Sequence, residues 1–208
     1  MRIETLAIIK KPLEAIWANP KYQGFPIGNF IYPKFIETDS ILFIGINPSL
    51  VKSQKPNEPY ELEESVKNIP YFKKMKELAN ECGTSWAHLD LFYFVHTSEK
   101  KIFEIVKNEN GAEFLLEQLR ITNDLIKAVK AKVIVVCNAL AASFLGRYPN
   151  RKISKNIKLD YQYKFDESLG TDRWNGIPIL FSGMLSGGHA LDNGSYDRLK
   201  WQIKQSLK

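Results

Sequence analysis

Asn47, Pro48 and Ser49 close an almost wholly apolar run, ILFIGI at residues 41–46. An asparagine side chain carries two donors and one carbonyl acceptor and does not ionise near neutral pH. It is a poor general base, but it can hold and orient a water while donating a hydrogen bond elsewhere. Pro48 fixes the backbone and removes a competing N–H, and Ser49 can cap a helix or bind an anion. The same tripeptide also makes an ordinary turn into a loop, so its local chemistry leaves both readings open.

A second stretch, SGMLSGGHALDNGS at 182–195, is rich in small residues. Ser182, Gly183, Ser186, Gly187 and Gly188 let a backbone approach a ligand closely, and their N–H groups suit phosphate. His189, one of three histidines, stands beside the glycine pair. It is a candidate acid or electrophile, or simply an exposed loop histidine. No Walker lysine motif or Gly-x-Gly-x-x-Gly fingerprint accompanies these residues, which argues against a nucleoside triphosphate or dinucleotide site.

The elements that must position these groups follow from periodicity. Four short apolar runs predict buried strands: 41–46, HLDLFYF at 88–94, KVIVVC at 132–137 and IPILFSG at 177–183. The first, third and fourth are nearly continuous, as expected where both faces of a parallel sheet are covered. Helical stripes alternate with them: Phe72, Met75 and Leu78; Leu115, Leu119, Thr122, Ile126 and Val129; Leu140 to Leu145; and Tyr196, Leu199, Ile203 and Leu207, starting near Ser195. The pattern predicts an α/β fold, a three-layer α/β/α sandwich around a mostly parallel sheet of four strands. Ligands of such sheets bind beyond the carboxyl ends of the strands. There Asn47-Pro48-Ser49, then Asp90, Tyr93 and His96, then Asn138, then the 182–195 loop should converge on one cleft.

The chain of 208 residues carries no repeat or linker, so one domain over 1–208 is expected. Residues 1–24 are read as a helical extension packed on it, because MRIETLAIIKKPLEAIW is amphipathic and lacks a cleavage site. Two polar stretches, 49–60 and 147–175, are read as functional loops. Cys82 and Cys137, without a CxxC or Cys/His cluster, point to a reducing cytoplasmic setting and to no structural metal. No apolar run is long enough to span a bilayer, so no membrane association is expected. Twenty-nine basic against 23 acidic residues leave a net charge of +6, permissive for nucleic acid. Arg147, Arg151, Lys152, Lys155, Lys158 and Lys164, with Tyr148, Tyr161 and Tyr163 among them, concentrate the excess. They suit either a phosphate-tracking surface or a plain solvated face.

Together these features resemble the uracil-DNA glycosylase superfamily. Gly45-Ile46-Asn47-Pro48-Ser49 is similar to its first motif, closest to the mismatch-specific and single-strand-selective branches. AKVIVVCNALAASFL at 131–145 is similar to its third strand and following helix. Residues 179–199 fall where its second motif, His/Asn-Pro-Ser, precedes a C-terminal helix; here Met184-Leu185-Ser186-Gly187-Gly188 stands instead. The resemblance spans roughly residues 25–207 and implies strand order 2-1-3-4 and a monomeric, cofactor-free glycosylase that flips a base out of DNA. It implies Asn47 and His189 as catalytic residues, with Asn47 positioning the water. Ile46, Tyr60, Asp90 and Asn138 would bind the base, Tyr60 by stacking and Asp90 by accepting from an exocyclic amino group. Ser49, Ser186, Gly187 and Gly188 would hold DNA phosphates. Two alternatives stay open: a silent protein of the same fold that binds DNA, a nucleotide or a free base, and a small-molecule nucleoside-processing α/β enzyme.

Overall fold

The computed structural model describes residues 1–23, 25, 28–49, 55, 57–148, 157–159, 161–188 and 190–208. Its principal sheet has six strands rather than the expected four. The four predicted runs form its parallel part: β4 (Ile41–Gly45), β6 (Trp86–Asp90), β7 (Val133–Val136) and β10 (Ile177–Phe181). They lie side by side as β6-β4-β7-β10, each pair parallel. In order of the runs along the chain this is 2-1-3-4. Two strands, β8 (Lys164–Asp166) and β9 (Thr171–Trp174), continue the sheet antiparallel beyond β10. They fall inside the stretch expected to be a loop. β8 sits at the sheet edge with Lys164 and Phe165 exposed, so no apolar run marks it.

The parallel strands alternate strictly between two cores, because successive strand side chains point to opposite faces. Leu42, Ile44, Ala87, Leu89, Ile134 and Val136 face one core, shared with Phe114, Leu115, Leu119 and Ile126 of α5 (Gly111–Val129) and with Leu13 and Ile16 of α1 (Lys11–Ala18). Ile41, Phe43, Trp86, Val133 and Val135 face the other, covered by Phe72, Met75 and Leu78 of α3 (Pro70–Glu81) and Leu199 and Ile203 of α7 (Asn193–Ser206). Each such large apolar side chain contributes roughly 1.5–3 kcal/mol on burial. By the same alternation, His88 and Asp90 share the face of Trp86, toward α3.

The N-terminal segment differs from the expected helix. Residues Arg2–Glu4 form β1, paired antiparallel with β3 (Phe35–Glu37), and a π-helical turn, Leu6–Lys10, leads into α1. Three residues of a two-stranded ribbon are too few to show a period in the sequence. A second small pair joins β2 (Tyr32–Pro33) to β5 (Pro59–Tyr60), bringing Tyr60 back from the polar loop to the main body. Among the described residues the remaining α-helices are α2 (Leu62–Asn68), α4 (Lys100–Lys107) and α6 (Ala139–Phe144). Helix α7 is capped by Asp192, whose carboxylate accepts from the Ser195 N–H, so it begins before the predicted Ser195. No helix among the described residues is long and apolar enough to cross a membrane.

Candidate functional site

The carboxyl ends of β4, β6 and β7 open into a cavity of about 320 Å³, at the lower end of the range for ligand pockets. Asn47, Tyr60, Asp90, Asn138 and Ser186, scattered through the sequence, all line it. So do Ile46, Ser49 and Gly187. The loops that carry them are tied to the sheet by main-chain bonds. The Phe92 N–H donates to Ile46 O at 3.0 Å, His96 N–H to Pro48 O at 2.9 Å and Cys137 N–H to Ile44 O at 2.9 Å.

Asn47 is half-buried, and both of its amide contacts are to backbone. Nδ2 donates to His96 O at 2.7 Å and to Pro48 O at 3.2 Å. Those carbonyls fix which end of the amide is nitrogen. The carbonyl Oδ1 has no protein partner among the described residues and is left as an acceptor for a bound molecule.

The floor is made by β6 and β4 in register, where Gly45 lies opposite Asp90 and Phe43 opposite His88. A Cβ on Gly45 would stand 2.2 Å from Asp90 Oδ1 and 3.2 Å from His88 Nε2. The single glycine of the opening motif is therefore explained by the Asp90 carboxyl lying across it, not by a phosphate loop. His88 is only 2% exposed. Its Nδ1 lies 3.2 Å from the Tyr60 hydroxyl, and Phe72 and Tyr71 meet the ring edge-on. His88 Nε2 is buried with no hydrogen-bond partner and lies 3.8 Å from Asp90 Oδ1.

Burial dominates the titration of both groups. It lowers the His88 pKa to about 3, leaving a neutral imidazole, and pushes Asp90 up to about 8, so that its acid form prevails at neutral pH. The Tyr60 and Tyr71 phenols are raised well above their ordinary range, first by burial and further by nearby groups that include Asp90. No lysine or arginine among the described residues pairs with Asp90.

Several expectations change on this geometry. Tyr60 lines the cavity, but its ring is stacked on Phe72, 5.9 Å between centroids, and its hydroxyl is turned to His88. Asn138 is a helix cap: Oδ1 accepts from the Leu140 and Ala141 N–H groups, and Nδ2 donates to Glu99. Its oxygen is committed to the cap, so only an N–H of Nδ2 is left to face the cavity it lines. Tyr93 turns to the opposite face, where its hydroxyl meets Thr122. Ser186 and Gly187 reach the cavity, Gly187 at φ +88°, a left-handed conformation that favours glycine; Gly188 does not line it. Met184 stands at the wall where the resemblance expects histidine or asparagine. His189 lies outside the described residues, as do Arg151, Lys152 and Lys155 of the basic stretch.

His96, expected at the cleft, lines the cavity, whereas sequence reasoning missed His88 and Glu99, which line it too. His88 sits within a strand and reads as core. The one available signal was its spacing of two from Asp90, which puts both on the same face. Among the described residues no cluster of three or more His, Cys, Asp or Glu side chains is placed to hold a metal ion. No protein-family model matches the chain, and no curated protein matches it either.

Proposed function

We propose that this protein hydrolyses the N-glycosidic bond of a nucleobase flipped out of DNA. The observation that carries the reading is the clamped amide of Asn47, held by two backbone carbonyls so that its own carbonyl is left for a water at the cavity. In such a reaction the sugar gains oxocarbenium character as the base departs with negative charge. Catalysis then rests on placing the water and stabilising the leaving base, not on a strong base. Asn47 supplies the first of these, and the polar floor at His88 and Asp90 supplies contacts to the base. Ser49, Ser186 and Gly187, which line the same cavity, would hold the flanking phosphates.

The test is direct. Single- and double-stranded oligonucleotides carrying uracil, mismatched thymine, hypoxanthine or alkylated bases are incubated with the protein, and abasic sites are scored by alkaline cleavage. Cleavage that disappears in Asn47→Ala supports the reading; absence of cleavage on every substrate defeats it. A second reading, a silent base- or DNA-binding protein, is favoured by one observation: Met184, which lines the cavity together with Asn47, brings no polar group to it. Salt-dependent DNA binding without cleavage is the outcome that reading requires.

A further inference from the structure

Glu99 is an exposed carboxylate that lines the cavity, and the protein holds it at both ends. Its main-chain carbonyl accepts the Ile102 N–H at 3.0 Å, where it caps the start of α4. Its Oε1 accepts from Asn138 Nδ2 at the start of α6. An exposed glutamate ordinarily keeps its rotamer freedom, and this one is fixed through a single oxygen. The other, Oε2, has no hydrogen-bond or ion-pair partner among the described residues.

The segment that carries Glu99 also sets Asn47. His96, three residues earlier, accepts from Asn47 Nδ2 at its carbonyl at 2.7 Å and donates its own N–H to Pro48 O at 2.9 Å. One short stretch of chain therefore fixes two residues on the same cavity, each with one acceptor left over: Asn47 Oδ1 and Glu99 Oε2.

We infer that Glu99 is a further catalytic residue, the general base that takes a proton from the water oriented by Asn47. A water has two protons to give. With one donated to the Asn47 carbonyl and the other to the carboxylate, its oxygen lone pair is left for the anomeric carbon of the sugar. Asn47 alone can hold that water but cannot take its proton. The step balances. The N-glycosidic bond breaks with its electron pair going to the base, the water oxygen bonds to the anomeric carbon, and the proton lost by the water passes to Glu99. A carboxylate in this role is ordinary chemistry for glycoside hydrolysis through an oxocarbenium-like sugar. The layout of the cavity agrees. His88 and Asp90, the contacts to the base, are buried at its floor, so the sugar stays toward the rim, at the level of the exposed Glu99. The inference rests on the glycosylase reading. The opposing account is that Glu99 only braces α6 through Asn138, in which case its loss changes stability and leaves the chemical step alone.

The experiment measures single-turnover base release by the full chain on the oligonucleotide it cleaves fastest, with DNA affinity and thermal unfolding followed alongside. Glu99→Gln keeps an oxygen for Asn138 but turns an amide NH₂ toward the water, which needs an acceptor. Its rate is expected to fall between about 10- and 10²-fold, the lower reach of general-base catalysis, because the sugar is already cationic when the water adds. DNA affinity and the unfolding midpoint stay at their wild-type values. In Glu99→Ala, sodium formate is a carboxylate small enough for the space the side chain leaves. It is expected to raise the rate at least about fivefold over sodium chloride at equal ionic strength, and to leave Asn47→Ala unchanged. A Glu99→Gln rate within about threefold of wild type, or a Glu99→Ala rate that formate does not raise, overturns the assignment. So does a rate loss matched by weaker DNA binding or a lowered unfolding midpoint, which marks a brace. In each of these cases wild-type cleavage leaves the glycosylase reading standing. No cleavage by the wild type removes both.

Discussion

The floor and the rim of the cavity are built on opposite principles. At the rim, polar side chains are already engaged by the protein: Asn138 caps α6 and holds Glu99, and the Asn47 amide nitrogen is bound by two carbonyls. At the floor, His88 Nε2 is buried with no hydrogen-bond partner, and the Asp90 carboxyl beside it meets no cation among the described residues. Engaged groups give position, and unengaged buried groups give recognition, because only the latter gain hydrogen bonds when a ligand arrives. Asn47 belongs to both classes. Its nitrogen is structural and its oxygen is free.

Breaking that double role should have the largest effect. Asn47→Ala removes the free acceptor and the loop clamp, and abasic-site formation is expected to fall about 10²-fold or more in single-turnover assays. The floor comes next, through stability. Folded Asp90 keeps a proton that the unfolded chain releases, so it makes stability fall as pH rises from about 4 through 8. Buried neutral His88 acts oppositely, and its contribution is lost as pH falls below 6.5 toward 3. The two slopes offset each other between about pH 4 and 6.5, and only the Asp90 decline remains above that window. Asp90→Asn should therefore gain ~3 kcal/mol over the wild type in urea unfolding at pH 8.5 and much less at pH 5. A gain that does not grow with pH would place Asp90 in a wetter site than the floor geometry describes.

Gly45→Ala sharpens the contrast from the other side. Its Cβ would collide with Asp90 Oδ1, so a loss of ~1–2 kcal/mol in stability is expected, with weakened base binding and the rim untouched. Asn138→Ala has the smallest expected effect. It removes the α6 cap and releases Glu99, at a cost of ~1 kcal/mol in thermal unfolding. Base affinity should change less than in His88→Phe; a larger loss would return Asn138 to the reading surface.

Legibility in the sequence tracked how local each cause was. The runs around Ile41, Val133 and Ile177 announced themselves because both faces of those strands are covered, and the α3, α5 and α7 stripes because each helix buries one face. Strands β8 and β9 gave no such signal. They lie toward a sheet edge, and Asp166 and Arg173, which pair across them, read as loop polarity. Of the site, Asn47, Asp90 and Ser186 were legible as polar residues after strands. His88 was hidden because a strand histidine between Ala87 and Leu89 looks like packing until its neighbours across the sheet are known.

By itself the sequence determined the four parallel strands and the helical stripes of α3, α5, α6 and α7, that the apolar runs are covered on both faces, and that an asparagine corner ends the first of them. Those properties depend on residues close along the chain. Only the tertiary structure decided what Gly45 is for, that Tyr60 serves the imidazole, that Asn138 is a cap, and that His88 and Asp90 share the cavity floor. These depend on register between strands distant in sequence and on desolvation, and both exist only once the sheet has formed and the cavity has closed around it.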